Sequence, residues 1–191
     1  MTENDSEHSQ RYIERFRQLA SAGADLAGEA RLVDAMLPRA ARVLDAGCGQ
    51  GRVGAALADR GHAVTGVGAD AALIAAAQAG HPGSRWINAD LAELDLPARG
   101  DPEPFDAAVL AGNVMLFVAA GTEQQVLARI AAHLRPGGFA VAGFAAGRGY
   151  DLADFDRQAA AAGLAREHRF ATWDLRPWQD GAPFAVSVLR K

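Results

Sequence analysis

Three glycines in one turn are the feature of this sequence that most directly predicts chemistry. Gly47, Gly49 and Gly51 alternate with other residues directly after the apolar run 42–46. Glycine adopts positive φ angles without strain and lets a ligand approach the backbone closely. Residues 52–60 then have the apolar spacing of a helix. Open α/β sheets bind ligands at the carboxyl ends of their strands. We therefore predict a ligand-binding turn; a plain tight turn is the alternative.

Two further residues belong to this turn. Asp45 ends the predicted strand, where an unpaired buried carboxylate is costly, so we expect a hydrogen-bond donor or a cation beside it. Cys48 lies between two glycines and is interpreted as a small filler rather than a catalytic thiol. As the only cysteine, it cannot form an internal disulfide or a cysteine-based zinc site. No metal site is predicted.

Other candidate residues each have a structural and a functional interpretation. Asp70 precedes a helical pattern and is typical of a helix N-cap. Asn113 is polar within an apolar stretch, so it could face a substrate or satisfy a loop backbone. Tyr12 and Phe16 share one face of an amphipathic N-terminal helix, where they could pack on the core or contact a bound ligand.

The histidines divide into two groups by their position in the predicted elements. His8, His62 and His133 are placed like surface residues. His81 and His168 remain candidates for a base that faces a pocket. The sequence does not single out a general base.

The elements that must position these residues alternate between strands and helices. Such alternation predicts a parallel sheet with helices on both faces. No helical pattern separates the last two strand-like runs, so they should form an antiparallel pair. We predict a Rossmann-like, doubly wound, mostly parallel seven-stranded α/β sheet. Its strands are expected at residues 42–46, 62–67, 85–88, 105–111, 139–144, 166–174 and 184–190.

Domain organisation and composition are ordinary for a globular protein. The 191 residues carry a net charge of −4, and 22% of them are charged. We expect residues 1–40 to form N-terminal lid helices over one structural unit, residues 41–191.

No basic footprint for nucleic acid or an anionic membrane is visible, and the longest uncharged apolar stretch is too short to span a bilayer. A polar, acidic start is unlike a signal peptide, so we expect a cytoplasmic protein. Oligomeric state is not predicted.

An ordered set of five segments resembles the class I S-adenosylmethionine-dependent methyltransferases. The resemblance extends over about residues 29–190. The first segment, Val-Leu-Asp-Ala-Gly-Cys-Gly-Gln-Gly-Arg, is similar to the family's first motif. The matching segments are residues 43–52, 64–67, 89–91, 105–109 and 134–138.

This resemblance implies S-adenosylmethionine as cofactor and S-adenosylhomocysteine as product. The glycine turn and Asp45 would hold the amino acid end, and Asp90 would accept a hydrogen bond from the adenine amine. The segment that ends at Asn113 would pass beneath the sulfonium. Tyr12, Phe16 and Asn113 are the candidate substrate contacts. The implied cofactor-binding residues are Asp45, Gly47, Cys48, Gly49, Gly51, Gly68, Ala69, Asp70, Ala89, Asp90, Leu91, Ala111 and Asn113.

One position departs from the family pattern. Members usually end the second strand with an acidic residue that holds both ribose hydroxyls, and Gly68 stands there in this sequence. Asp70 follows two residues later, where the family usually has a helix cap.

The resemblance favours a methyltransferase that acts on a small molecule by direct methyl displacement. Its acceptor is not predicted. One alternative is a non-catalytic S-adenosylmethionine-binding protein with a degenerate ribose site, which Gly68 supports. Another is a nicotinamide nucleotide-binding oxidoreductase. Arg52 disfavours the oxidoreductase, because Gly-x-Gly-x-x-Gly would need its third glycine there.

Overall fold

A seven-stranded sheet forms the centre of the molecule. The computed structural model describes residues 3–191, with the side chains of residues 3–6 and 8 excepted. The strand order is β3-β2-β1-β4-β5-β7-β6. Strands β1 to β5 are parallel, and β7 runs antiparallel between β5 and β6, which confirms the predicted fold class. The strands are β1 (Arg42–Ala46), β2 (Ala63–Gly68), β3 (Arg85–Asn88), β4 (Phe105–Leu110), β5 (Leu134–Ala145), β6 (Ala165–Phe170) and β7 (Phe184–Arg190).

Helices cover both faces of this sheet. Helices α2, α3 and α4 pack on one side, the α3 face, and α6 and α7 pack on the other, the α6 face. Within the described part of the chain, no helix is long and apolar enough to cross a membrane. The helices are α1 (Glu3–Ser21), α2 (Gly28–Ala35), α3 (Arg52–Ala58), α4 (Ala71–Gly80), α5 (Val114–Phe117), α6 (Glu123–His133) and α7 (Leu152–Ala161).

Strand β1 shows why this sequence forms a central parallel strand. Val43 packs in the core of the α3 face and Leu44 in the core of the α6 face, and both side chains are fully buried. A strand buried on both faces has a continuous apolar run instead of an alternating one. Asp45 pairs in register with Gly66 of β2 and Val109 of β4. The carboxyl ends of the three strands therefore meet at one edge.

Trp86 of β3 lies in a hollow made by glycines on the α3 face. A Cβ added at Gly66 would lie 2.2 Å from Cε3 of the indole, and one at Gly51 or Gly54 would lie 2.8 or 2.9 Å from its Cη2. Real Cβ contacts are not this short. These glycines let helix α3 and strand β2 approach the buried indole.

Several boundaries differ from the predicted ones. Helix α1 begins at Glu3, well before the first patterned residue, Tyr12, and α5 was not predicted. Thr122 and Gln125 have the Thr-x-x-Gln spacing of a capping box at the start of α6, but the Thr122 hydroxyl donates to the Ala119 carbonyl (2.6 Å) and makes no cap hydrogen bond.

The prediction that His62 and His133 lie on the surface is also wrong, since both side chains are buried. His62 accepts the Ala41 N–H at Nδ1 (3.2 Å), and its Nε2 lies 2.9 Å from Asp34 Oδ1. His133 accepts the Leu96 N–H at Nε2 (3.0 Å). Each ring satisfies a backbone donor that would otherwise be unpaired in the interior.

Candidate active site

A cavity of about 370 Å³ opens at the carboxyl ends of β1, β2 and β4, below helix α1. Its volume is in the range of small-molecule binding sites, about 300–1,000 Å³. The walls are mostly apolar. The lining residues are Tyr12, Gly47, Gly49, Gly68, Ala69, Asp70, Leu73, Asp90, Leu91, Ala111, Gly112, Val114, Phe117, Val118 and Ala119.

The glycine turn forms one wall through its first two glycines. Gly47 and Gly49 have φ angles of +82° and +52°. A Cβ at Gly47 would lie 2.4 Å from Val114 Cγ2, and one at Gly49 would meet the ring of Tyr12 at 3.7 Å. The third glycine, Gly51, packs against Trp86 and does not line the cavity. Gly51 is the N-cap residue of helix α3 and has a φ of +85°.

Asp45 and Cys48 lie behind this wall. Asp45 is 1% exposed, and its Oδ2 accepts the Gly54 N–H at 2.8 Å, which supplies the donor that the sequence led us to expect. Burial raises the pKa of Asp45 to about 7, although the Gly54 N–H and the Arg52 charge act to lower it. Burial, and then the Asp45 charge, raise the pKa of the Cys48 thiol well above its usual range. A protonated thiol is a poor nucleophile, which favours the interpretation of Cys48 as a small filler.

The end of β2 forms a second wall, which carries Gly68, Ala69 and Asp70. A Cβ at Gly68 would meet its nearest neighbour, Ile74 Cδ1, at 3.5 Å, so this position has room for a side chain. The Asn88 side chain donates to the carbonyl oxygens of Gly68 (3.0 Å) and Ala69 (2.9 Å). These two bonds fix the backbone between β2 and α4.

Asp70 joins two helices through its carboxylate. Its Oδ1 accepts the N–H groups of Ala72 (2.8 Å) and Leu73 (3.0 Å), which confirms the predicted N-cap of α4. Its Oδ2 accepts a hydrogen bond from the hydroxyl of Ser9, a buried residue of α1. Ser9 was not among the predicted site residues, although it lies one helical turn before Tyr12 on the same side of the helix.

A third wall follows β3. Asp90 Oδ1 accepts the Ala92 N–H (2.9 Å) and caps the short turn Leu91–Glu93. Both Asp90 and Leu91 line the cavity. Ala89 packs against the core of the α6 face instead, and the structure does not bring it to the cavity.

The segment after β4 completes the cavity. Ala111 and Gly112 line it, but the Asn113 carboxamide oxygen accepts the Ala145 N–H at 2.7 Å. Asn113 has a φ of +68°, and of its two interpretations the structure favours satisfaction of a loop backbone. Phe117 of α5 was not predicted; it lies at the rim and is 79% exposed.

Helix α1 contributes one aromatic side chain to the cavity. Tyr12 and Phe16 are in ring contact, with centroids 4.8 Å apart, yet only Tyr12 lines the cavity. Phe16 lies outside it, 5.2 Å from the guanidinium of Arg52, which pairs with Glu29 at 2.6 Å. Burial raises the pKa of Tyr12, so its phenol stays protonated near neutral pH.

The candidate histidine bases do not reach the cavity. His168 is exposed on the edge strand β6. His81 follows α4 and lines a separate groove between α1 and α3. Among the residues whose side chains are described, the cavity is lined by no histidine, and the side chain of His8 lies outside that set.

Comparison with known proteins agrees with this arrangement. Residues 43–138 match the methyltransferase domain family. A TehB-like S-adenosylmethionine-dependent methyltransferase from Corynebacterium glutamicum is 45% identical; the match covers 97% of this chain and 99% of that one, with a TM-score of 0.91. The chain therefore belongs to the S-adenosylmethionine-dependent methyltransferase family.

Two further relatives show how far the similarity extends. An uncharacterized methyltransferase of Mycobacterium tuberculosis is 38% identical over 110 residues, 56% of this chain and 52% of that protein. The chain spans about half the length of such curated relatives. The amino pentose methyltransferase CalS10 from Micromonospora echinaspora, 20% identical, superposes with a TM-score of 0.70 over 92% of this chain and 97% of that one. At 20% identity, the similarity to CalS10 shows a shared fold and nothing more.

Proposed function

We propose that this protein methylates a small neutral or basic molecule with S-adenosylmethionine as methyl donor. The observation that carries the proposal is the cavity of about 370 Å³ between the glycine turn and Asp90, in a chain of the methyltransferase family. The donor supplies a methyl group activated by its sulfonium. Direct displacement then depends on alignment of the acceptor and exclusion of water.

The lining residues fit the chemistry of this cofactor. Backbone at Gly47 and Gly49 would hold the amino acid end, where no side chain obstructs the approach. Asp90 uses Oδ1 for its own turn. Among the described residues its Oδ2 has no hydrogen-bond partner, so it is suited to accept from the adenine amine. Leu91 would pack beside the ring.

The acceptor class follows from the charges and apolar surface of the cavity. The charged side chains that line it, among those described, are Asp70 and Asp90. An anionic acceptor would find no cation among these side chains, whereas a basic acceptor would find carboxylates and a neutral one would meet no like charge. Phe117 offers exposed apolar surface at the rim. We therefore propose an acceptor with an apolar face and a nucleophile that needs no enzyme base, such as an amine.

A second candidate is a non-catalytic S-adenosylmethionine-binding protein. Gly68 favours it, because the carboxylate usual in the family is missing from the end of β2. This candidate predicts cofactor binding without turnover on any acceptor.

Thermal shift and calorimetric titration test the proposal directly. At about 100 times its Kd, S-adenosylhomocysteine should add about 2.7 kcal/mol of stability, which raises Tm by about 5–10 °C for a chain of this length. NAD and NADP should give no shift. Formation of S-adenosylhomocysteine from S-adenosylmethionine, followed by mass spectrometry across a panel of amines and phenols, then separates an enzyme from a binding protein.

The glycine turn supplies a matched pair of variants. Gly49→Val should abolish binding, since the side chain would enter the cavity beside Tyr12. Gly61→Val also places a β-branched residue at a positive φ, +90°, but with open space around it, so it should bind like wild type despite lower stability. Unimpaired binding by Gly49→Val, or a shift with NAD and NADP alone, would contradict the proposed site.

A further inference from the structure

Gly68 stands at the end of β2, where the resemblance to the family implies a carboxylate, and another carboxylate lies close by. Gly68 ends β2 without a side chain, and Asp70 lines the same wall two residues later. Asn88 holds the intervening carbonyl groups of Gly68 and Ala69, so the backbone that carries Asp70 is fixed from β3. The Asp70 carboxylate is therefore presented to the cavity from a rigid connection.

We infer that Asp70, through Oδ2, accepts one ribose hydroxyl of the bound nucleoside and so replaces the acid missing at Gly68. This inference rests on the proposed function. Oδ1 and Oδ2 have separate tasks here, since Oδ1 carries both cap hydrogen bonds and Oδ2 is the atom that reaches helix α1.

The number of acceptor sites on Asp70 limits what it can hold. An ionised carboxylate offers about four lone-pair sites. Ala72 and Leu73 use two of them, and the Ser9 hydroxyl uses a third. One site is left, so Asp70 can accept one ribose hydroxyl rather than both. The ligand and α1 then share a single carboxylate.

Calorimetric titration with a truncated ligand tests this assignment without any assay of turnover. The probes are S-adenosylhomocysteine and its 2′-deoxy and 3′-deoxy analogues. A hydrogen bond to a charged group corresponds to about a tenfold to hundredfold change in affinity. Wild type should lose about that factor with one analogue and only about twofold or less with the other.

Asp70→Ser removes the carboxylate but keeps a side chain that is as good an N-cap. It should bind S-adenosylhomocysteine about tenfold to a hundredfold more weakly than wild type and no longer distinguish the analogues. Asp151→Ser is the matched control, because Asp151 stands at the N-cap position of α7 and does not line the cavity. It should bind all three ligands like wild type.

Adding Gly68→Asp to Asp70→Ser should restore affinity, since a Cβ at Gly68 has ordinary contacts only. Wild-type affinity in Asp70→Ser, or undiminished discrimination between the analogues, overturns the inference and leaves the proposed function standing. If wild type binds no S-adenosylhomocysteine, both fail. Should circular dichroism show that Asp70→Ser is unfolded, Asp70→Asn applies the same comparison with the side chain's shape retained.

Discussion

The carboxyl group of Asp45 is the clearest case of a single residue that links folding to pH. It is buried at the end of β1 with the Gly54 N–H as donor, and burial raises its pKa to about 7. A group whose pKa is higher in the folded than in the unfolded chain contributes stability that is present at low pH. That contribution is lost as pH rises from the unfolded pKa, about 4, through about 7.

Asp45→Asn should therefore flatten the pH dependence of stability between about pH 4 and 7. A difference of three pKa units corresponds to at most about 4 kcal/mol. Urea unfolding at several pH values measures the change. All other titratable groups are common to both proteins, so the difference between wild type and variant isolates the contribution of Asp45. Parallel stability curves would show that Asp45 does not titrate in this window.

At the scale of elements, helix α1 differs from every other long helix in how little of it is buried. Most of its described side chains beyond Ser9 are exposed or half-buried. Its contacts come through Ser9 on Asp70, Tyr12 over Gly49, and Phe16 beside Arg52. Helix α2, in contrast, buries Ala30 and Val33 completely in the core of the α3 face. The lid expected from residues 1–40 is therefore a proposal for α1 alone.

Hydrogen exchange tests the lid. Amides of residues 10–19 should exchange faster in the free protein than with S-adenosylhomocysteine bound, because ligand contacts add to a weakly buried helix. Mass spectrometry of the α1 and α2 peptides measures both states. The α2 peptide is the internal control and should not change. Equal protection of α1 with and without ligand would mean a fixed structural helix.

On the scale of the fold, the described residues form two large cores, one on each face of the sheet, and a smaller cluster around Trp86. Leu127 of α6 is buried on the α6 face and Leu57 of α3 on the α3 face. Alternate residues of β1 and β4 enter one core or the other. Unfolding of either face would expose strands that the other face needs, so the cores should unfold together.

Calorimetry of two variants tests this cooperativity. Leu57→Ala and Leu127→Ala should each cost about 2–5 kcal/mol, the usual range for a buried leucine. Each should lower the Tm of one single transition, with equal calorimetric and van't Hoff enthalpies. Two separate transitions, or a variant that shifts only one of them, would show that the faces unfold independently.

The amino-acid sequence was enough to predict four features: the strand–helix alternation, the antiparallel end of the sheet, the glycine turn and the cap at Asp70. Each depends on residues near one another in the chain: hydrophobic periodicity, turn-forming glycines, and a side chain two or three residues from the N–H it accepts. The local spacing at Thr122 is misleading, because its hydroxyl bonds the preceding turn instead of capping α6.

Which residues reach the cavity depends on how the helices and strands pack together. Gly51 matches a binding motif but makes room for Trp86, and Asn113 satisfies the backbone of Ala145. Ser9 meets Asp70 from a position 61 residues away in the chain. These contacts depend on how separate elements pack, and side chains with the same local pattern can face a ligand, a neighbouring helix or a backbone group. Local spacing does not show which of these a side chain faces. That depends on how α1, α3 and β5 pack.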